Sequence, residues 1–93
     1  MRDIESRSME LIIKNRLGLH ARAAAKLVRA AGEYQATIKL VKDGQAADAR
    51  SVLSLISLGC AYDSKVTVHA EGIDAEGAVS ALREIIENRF GEE

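Results

Sequence analysis

Cysteine is almost absent from this chain of 93 residues, and proline and tryptophan are missing altogether. The one cysteine, Cys60, cannot close an internal disulfide and has no Cys or His beside it at metal-ligand spacing, so it reads as a small core residue. Neither a metal nor another cofactor is expected. Aromatic residues make up 3% of the chain, only Tyr34, Tyr62 and Phe90, and none falls in the interleaved aromatic and basic pattern on which nucleic-acid bases stack. A net charge of −1 lacks the global basicity of many nucleic-acid binders, so the placement of cations matters more than their total. No nucleic-acid partner is expected. No apolar run approaches the roughly 20 residues that cross a bilayer, so membrane insertion is not expected either. Met1 to Ser8 is charged and polar where a signal peptide would be apolar, which points to a cytoplasmic protein. The 47% of apolar residues suffices for one modest core, and the length leaves no room for a second domain.

What the chain does have is clear periodicity. Met9 to Lys14 alternates, with Met9, Leu11 and Ile13 on one side, as a half-buried strand would. Asn15-Arg16-Leu17-Gly18-Leu19 breaks that alternation, and its glycine permits a tight course before a helix. From Ala21 to Ala31, the residues Ala24, Leu27, Val28 and Ala31 recur at helical spacing, with Gly32 as the stop and Arg22, Lys26 and Arg29 on the opposite side. Tyr34 to Val41 and Gln45 to Arg50 predict a hairpin about the Asp43-Gly44 turn. Ser51 is a good N-cap for a two-turn helix over Val52 to Leu58 that Gly59 ends, although its apolar residues do not fit one face. Lys65 to Ala70 alternates again, with His69 on its polar side as a surface residue. Asp74 can cap a last helix whose core face is Ala75, Ala78, Val79, Leu82, Ile85 and Ile86. The order β-α-β-β-α-β-α predicts an α+β domain in which helices cover one face of a mainly antiparallel sheet.

His20 stands at the junction of loop and first helix. Imidazole is a nucleophile near neutral pH, and a phosphorylated ring nitrogen keeps a high transfer potential, which suits a carrier that must both load and unload. At a helix start the unpartnered N–H groups and the positive end of the helix dipole converge, providing a site for an anion. Arg22 can add a guanidinium fork to the oxygens of a phosphoryl group. The residues alone leave this reading level with a plainer one, in which His20 merely starts a helix and Arg22, Lys26 and Arg29 form a solvated face. They also leave open a binding module for RNA or a small ligand, which the shortage of aromatics disfavours.

The run Gly18-Leu19-His20-Ala21-Arg22, followed by an alanine-rich helix, resembles the active-site signature of HPr, the histidine-containing phosphocarrier family of the bacterial phosphotransferase system. Arg50-Ser51 and Ser57-Leu58-Gly59 resemble its second signature, and Val66-Thr67-Val68 with Ala70-Glu71-Gly72 its last strand and turn. The likeness spans roughly residues 9 to 90 without a gap. It implies a single HPr-like domain over 9–90, preceded by a flexible extension over 1–8. The implied fold is an open-faced β-sandwich, a four-stranded antiparallel sheet with three helices on one face.

By this resemblance His20 is the phosphoacceptor, through Nδ1, and Arg22 stabilises the phosphate. The phosphoryl group comes from phosphorylated Enzyme I and passes to IIA-type domains, in sugar uptake or nitrogen-related regulation, so the protein is a carrier and not a classical enzyme. Ser51 matches a regulatory phosphorylation site served by a dedicated kinase/phosphorylase in some bacteria. A phosphate there would put about −2 of charge on a docking surface. Val52, Leu53 and Ile56 correspond to an apolar partner-binding patch, with Arg22, Lys26 and Arg29 as its basic edge. The protein is expected to be a monomer. Two positions depart from the family pattern: Ala23 stands where many members have proline, and Leu17 where Ser or Asn is common. The Leu-Gly-Leu-His-Ala-Arg-Ala-Ala form is similar to proteobacterial members, including the nitrogen-related branch. A regulator that keeps the carrier fold but acts through protein contacts is the remaining alternative.

Overall fold

The computed structural model describes residues 5–92. In chain order these form β1 (Glu5–Ile12), α1 (Ala21–Ala31), β2 (Thr37–Lys42), β3 (Gln45–Asp48), α2 (Val52–Ser57), β4 (Lys65–Gly72), α3 (Ala75–Glu87) and a short 3-10 turn, Arg89–Gly91. The strands make one antiparallel sheet in the order β1-β4-β2-β3, so the α+β class and element order read from periodicity are the observed ones.

The period-2 alternation explains the two faces of the sheet. A row of Met9, Val68, Leu40 and Ala47 crosses all four strands, and it lies on the inner face, with Val68 and Leu40 fully buried. The neighbouring row, Ser8, His69, Lys39 and Asp48, points to the solvated side. The helices cover the inner face, α3 across β1 and β4, and α2 beside β3. α1 gives Ala23, Ala24, Leu27 and Ala31 to the core, and α3 gives Ala75, Ala78, Val79, Leu82 and Ile86. Each large aliphatic side chain withdrawn in this way contributes about 1.5–3 kcal/mol.

Several boundaries differ from the expected ones, each for a local reason. β1 begins at Glu5, so Glu5 to Ser8 is not part of a flexible extension over 1–8. Its four residues pair with Gly72, Glu71, Ala70 and His69. Backbone pairing to a long β4 holds this polar edge without any apolar side chain, which is why no hydrophobic pattern announced it. Residues 1–4 lie outside the described residues. At the other end Glu92 still makes tertiary hydrogen bonds, so the folded unit reaches beyond the 9–90 span at both ends.

β2 starts at Thr37, not Tyr34, because the preceding backbone is claimed elsewhere. The amides of Gln35 and Ala36 both donate to the Asp74 carboxylate at 2.8 Å, and the Arg50 guanidinium donates to the carbonyls of Ala31, Tyr34 and Ala36. Asp74 therefore precedes α3 without capping it by its side chain. β3 ends at Asp48, whose amide donates to Ser54 Oγ and whose carboxylate accepts from the Arg50 amide. Ser51 does cap α2, its hydroxyl accepting from the Ser54 amide at 3.1 Å.

Candidate functional site

The loop after β1 is fixed at both ends before it reaches His20. Ile13 is tied to the turn before β4, its amide donating to Ser64 O at 2.9 Å and its carbonyl accepting from the Asp63 amide at 2.7 Å. Gly18 then adopts φ +71°, and a Cβ built there would lie 2.5 Å from the carbonyl oxygen of Cys60. Only glycine meets both demands. The Cys60 carbonyl accepts the Leu19 amide at 2.8 Å, and the Leu19 side chain is buried. The next residue is thereby delivered to the start of α1.

His20 is the N-cap of α1, with extended backbone and its carbonyl accepting the Ala24 amide at 2.8 Å. Its imidazole takes the role usually given to Ser or Asp, Nδ1 accepting from the Arg22 amide at 3.2 Å. The other ring nitrogen, Nε2, faces the Glu92 carboxylate at 3.0 and 2.9 Å. Nδ1 is therefore assigned, from its partners, as the unprotonated nitrogen and Nε2 as the protonated one. The His20 side chain is 25% exposed, so the site is partly sheltered and open to an incoming group.

Two residues complete the constellation that the sequence reading did not single out. Asn15, fully buried, donates through Nδ2 to Gly18 O at 2.7 Å and to Glu92 Oε1 at 2.9 Å. Its Oδ1 has no hydrogen-bond partner among the described residues. The hydrogen bonds from Asn15 first, and from His20 second, hold the Glu92 carboxyl below the usual carboxylate range. A polar residue inside the chain-reversing loop was the signal available for Asn15. Nothing local marks Glu92.

Of the basic residues expected near the site, Arg22 and Arg29 are exposed on α1, whereas Lys26 is half-buried and donates to the carbonyl of Phe90. On α2, Leu53 (72% exposed) and Ile56 (41%) face solvent, as does Leu17 of the loop (72%). Val52 is partly buried against the core and Leu55 is wholly inside it. This division explains why the apolar residues of α2 failed to fit one face. Ser51 is half-buried at the N-terminus of the same helix. Cys60 is buried, and desolvation pushes its thiol pKa up. His69 lies on the outer face of the sheet, between Ser8 Oγ and the Glu71 carboxylate.

The described residues hold no group of three or more His, Cys, Asp or Glu side chains suited to a metal ion, and none of their helices is long and apolar enough to cross a membrane. At one end of this antiparallel α+β domain, a helix-capping histidine thus offers an unprotonated Nδ1 beside first-turn amides and an arginine, an arrangement able to receive an anionic group. Similarity to known proteins gives the class, that of phosphocarrier proteins. A family model described as the PTS HPr component phosphorylation site matches residues 7–88. The chain is 42% identical over 80 residues to phosphocarrier protein HPr of Cupriavidus necator, covering 86% of this chain and 90% of that one. It is 39% identical over 83 residues to phosphocarrier protein NPr of Shewanella violacea, covering 89% and 91%. Its fold matches the crystal structure of HPr-C-His from Thermoanaerobacter tengcongensis with a TM-score of 0.89 and 40% identity, over 94% of this chain and 98% of that one. The chain belongs to the HPr family of phosphocarrier proteins, whose members carry a phosphoryl group instead of turning over a substrate as classical enzymes do. Membership implies protein partners from the phosphotransferase system.

Proposed function

We propose that His20 Nδ1 accepts a phosphoryl group from phosphorylated Enzyme I and donates it to a IIA-type domain, in the cytoplasm and as a monomer. The observation that carries this reading is the pair of opposed hydrogen bonds on one ring, from the Arg22 amide to Nδ1 and from Nε2 to Glu92. They leave the lone pair of Nδ1 at the helix start, where it would form the bond to phosphorus while the Arg22 amide passes from Nδ1 to a phosphoryl oxygen. Arg22, exposed two residues on, supplies the fork that meets the equatorial oxygens. Leu53 and Ile56 form the apolar centre of the docking surface with Val52 at its margin, and Arg22 and Arg29 form its cationic edge, whereas the Lys26 ammonium is turned to the Phe90 carbonyl. A partner with an acidic rim fits it.

Ser51 serves as a regulatory site in this reading. A phosphate on its hydroxyl would sit at a helix N-terminus, which favours the charge, and beside the docking surface, where it would repel an acidic partner. The relatives named HPr and NPr support both a sugar-uptake and a nitrogen-related setting. Incubation with Enzyme I and phosphoenolpyruvate tests the proposal. The expected product is one acid-labile, base-stable phosphoryl adduct that His20→Ala abolishes without loss of fold. Equal labelling of the two proteins would remove His20 from the mechanism.

A further inference from the structure

We propose that Glu92 is a positioning residue for phosphoryl transfer, gripping the His20 ring through Nε2–H so that Nδ1 alone is the nucleophile, and that the turn Arg89–Gly91 serves to deliver it. The proposal rests on the reading of His20 as acceptor given above. A free imidazole exchanges its proton between two nitrogens, and the partner of one nitrogen decides the state of the other. Here a carboxylate at 2.9 Å requires a proton on Nε2, and an N–H at 3.2 Å requires a lone pair on Nδ1. The carboxylate is kept ionised by Asn15, whose amide reaches it from a wholly buried position.

The turn that carries Glu92 is built against local preference. Arg89 and Phe90 both have positive φ, 58° and 55°, and Gly91 follows at 75°. Non-glycine residues are strained in this region, because Cβ crowds the following carbonyl. Burial of Phe90 holds the turn in place, as do the Lys26 ammonium on its carbonyl and the hydrogen bonds Gly91 N to Asn88 O and Glu92 N to Arg89 O. Without these contacts such a turn would relax. Its retention here places a carboxylate on a ring 72 residues away in sequence.

During loading, the Nδ1–P bond forms as the donor's bond to phosphorus breaks, and the electron pair of that bond leaves with the donor. Nδ1 bears no proton, so none is released. Positive charge develops on the ring while Nε2 keeps its proton, and the Glu92 carboxylate faces that charge. Unloading reverses the electron flow and returns the bare Nδ1. The carboxylate therefore assists both directions, which a carrier requires.

The test compares full-length wild type, E92D, E92Q and E92A by imidazole ¹⁵N shifts without donor, and by the rate of loading from Enzyme I and phosphoenolpyruvate. The expected result is a dominant Nε2–H tautomer in wild type, a mixed tautomer in E92A with loading slowed roughly tenfold, an intermediate E92Q and partial rescue in E92D. Circular dichroism should report the same fold throughout. An unchanged tautomer in E92A, or loading equal to wild type, overturns the proposal. A slowed rate with the wild-type tautomer also overturns it, since Glu92 would then act only on the structure of the turn. If the wild type itself never loads, the acceptor reading fails, and the tautomer comparison still decides whether Glu92 holds the ring.

Discussion

Replacing Gly18 by alanine should damage this protein far more than replacing Gly59, although both have nearly the same backbone angle. Gly18 has φ +71° and Gly59 φ +66°. A Cβ at Gly59 meets nothing within 4 Å, whereas one at Gly18 would sit 2.5 Å from Cys60 O and 3.0 Å from Ala61 Cα. G59A therefore carries only the left-handed backbone cost, about 1 kcal/mol. G18A carries that cost and must also push the loop off the Cys60 carbonyl, breaking the 2.8 Å bond from the Leu19 amide. Leu19 is buried, and an amide orphaned there costs about 1–3 kcal/mol more, which brings the total to about 3 kcal/mol. In a domain of this size that is a fall in melting temperature of roughly 15 °C for G18A against roughly 5 °C for G59A. Thermal unfolding by circular dichroism measures both. Because Leu19 leads directly into His20, G18A should also slow phosphoryl loading while G59A leaves it close to wild type. Equal melting temperatures for the two variants would refute the reasoning, since the clash is the only large difference between the sites.

Three further outcomes follow from the geometry. R22A should lower the rate of phosphoryl transfer roughly 10–100-fold while changing stability by less than about 0.5 kcal/mol, because Arg22 is exposed; a comparable loss of stability in a denaturant titration would make it structural instead. S51A removes the cap on the Ser54 amide and should cost about 1 kcal/mol, read as a lowered urea midpoint, with phosphohistidine formation retained. Asp74 governs part of the acid stability. The amides of Gln35 first, and Ala36 among the lesser causes, depress its pKa below 3.8, so its contribution is fully present above that unfolded value and is lost as pH falls through the lower, folded one. D74N should therefore be less stable than wild type near neutral pH and should lose less on acidification from about pH 5 to about pH 2; parallel curves for the two proteins would contradict this.

The sequence was most informative where side chains alone decide structure. Val66, Val68 and Ala70 alternate with polar residues and make β4, and the spacing of Ala24, Leu27 and Ala31 makes α1. It was silent where backbone partners decide. Glu5 to Ser8 carries no apolar pattern and is a strand because β4 offers it a partner. Tyr34 to Ala36 looks extended and is withheld from β2 by Asp74 and Arg50. At the site, His20 and Arg22 share one short motif and are legible together. Glu92 reaches them only through the turn after α3, which no local pattern predicts, and Asn15 is a loop polar residue until folding buries it.

The placement of β4 sets how the molecule must fold. It is the last strand in chain order, followed only by α3 and the 3-10 turn among the described residues, yet it lies between β1 and β2 in the sheet. Only the β2–β3 hairpin can pair by local closure. Every other strand contact waits for residues 65–72 to arrive between partners more than twenty residues upstream, so loop-closure entropy is spent before most of the sheet repays it. The refolding rate should consequently respond to substitutions at Val66 and Val68, which complete the sheet, and hardly at all to changes in the Asp43-Gly44 turn beyond those that prevent the hairpin.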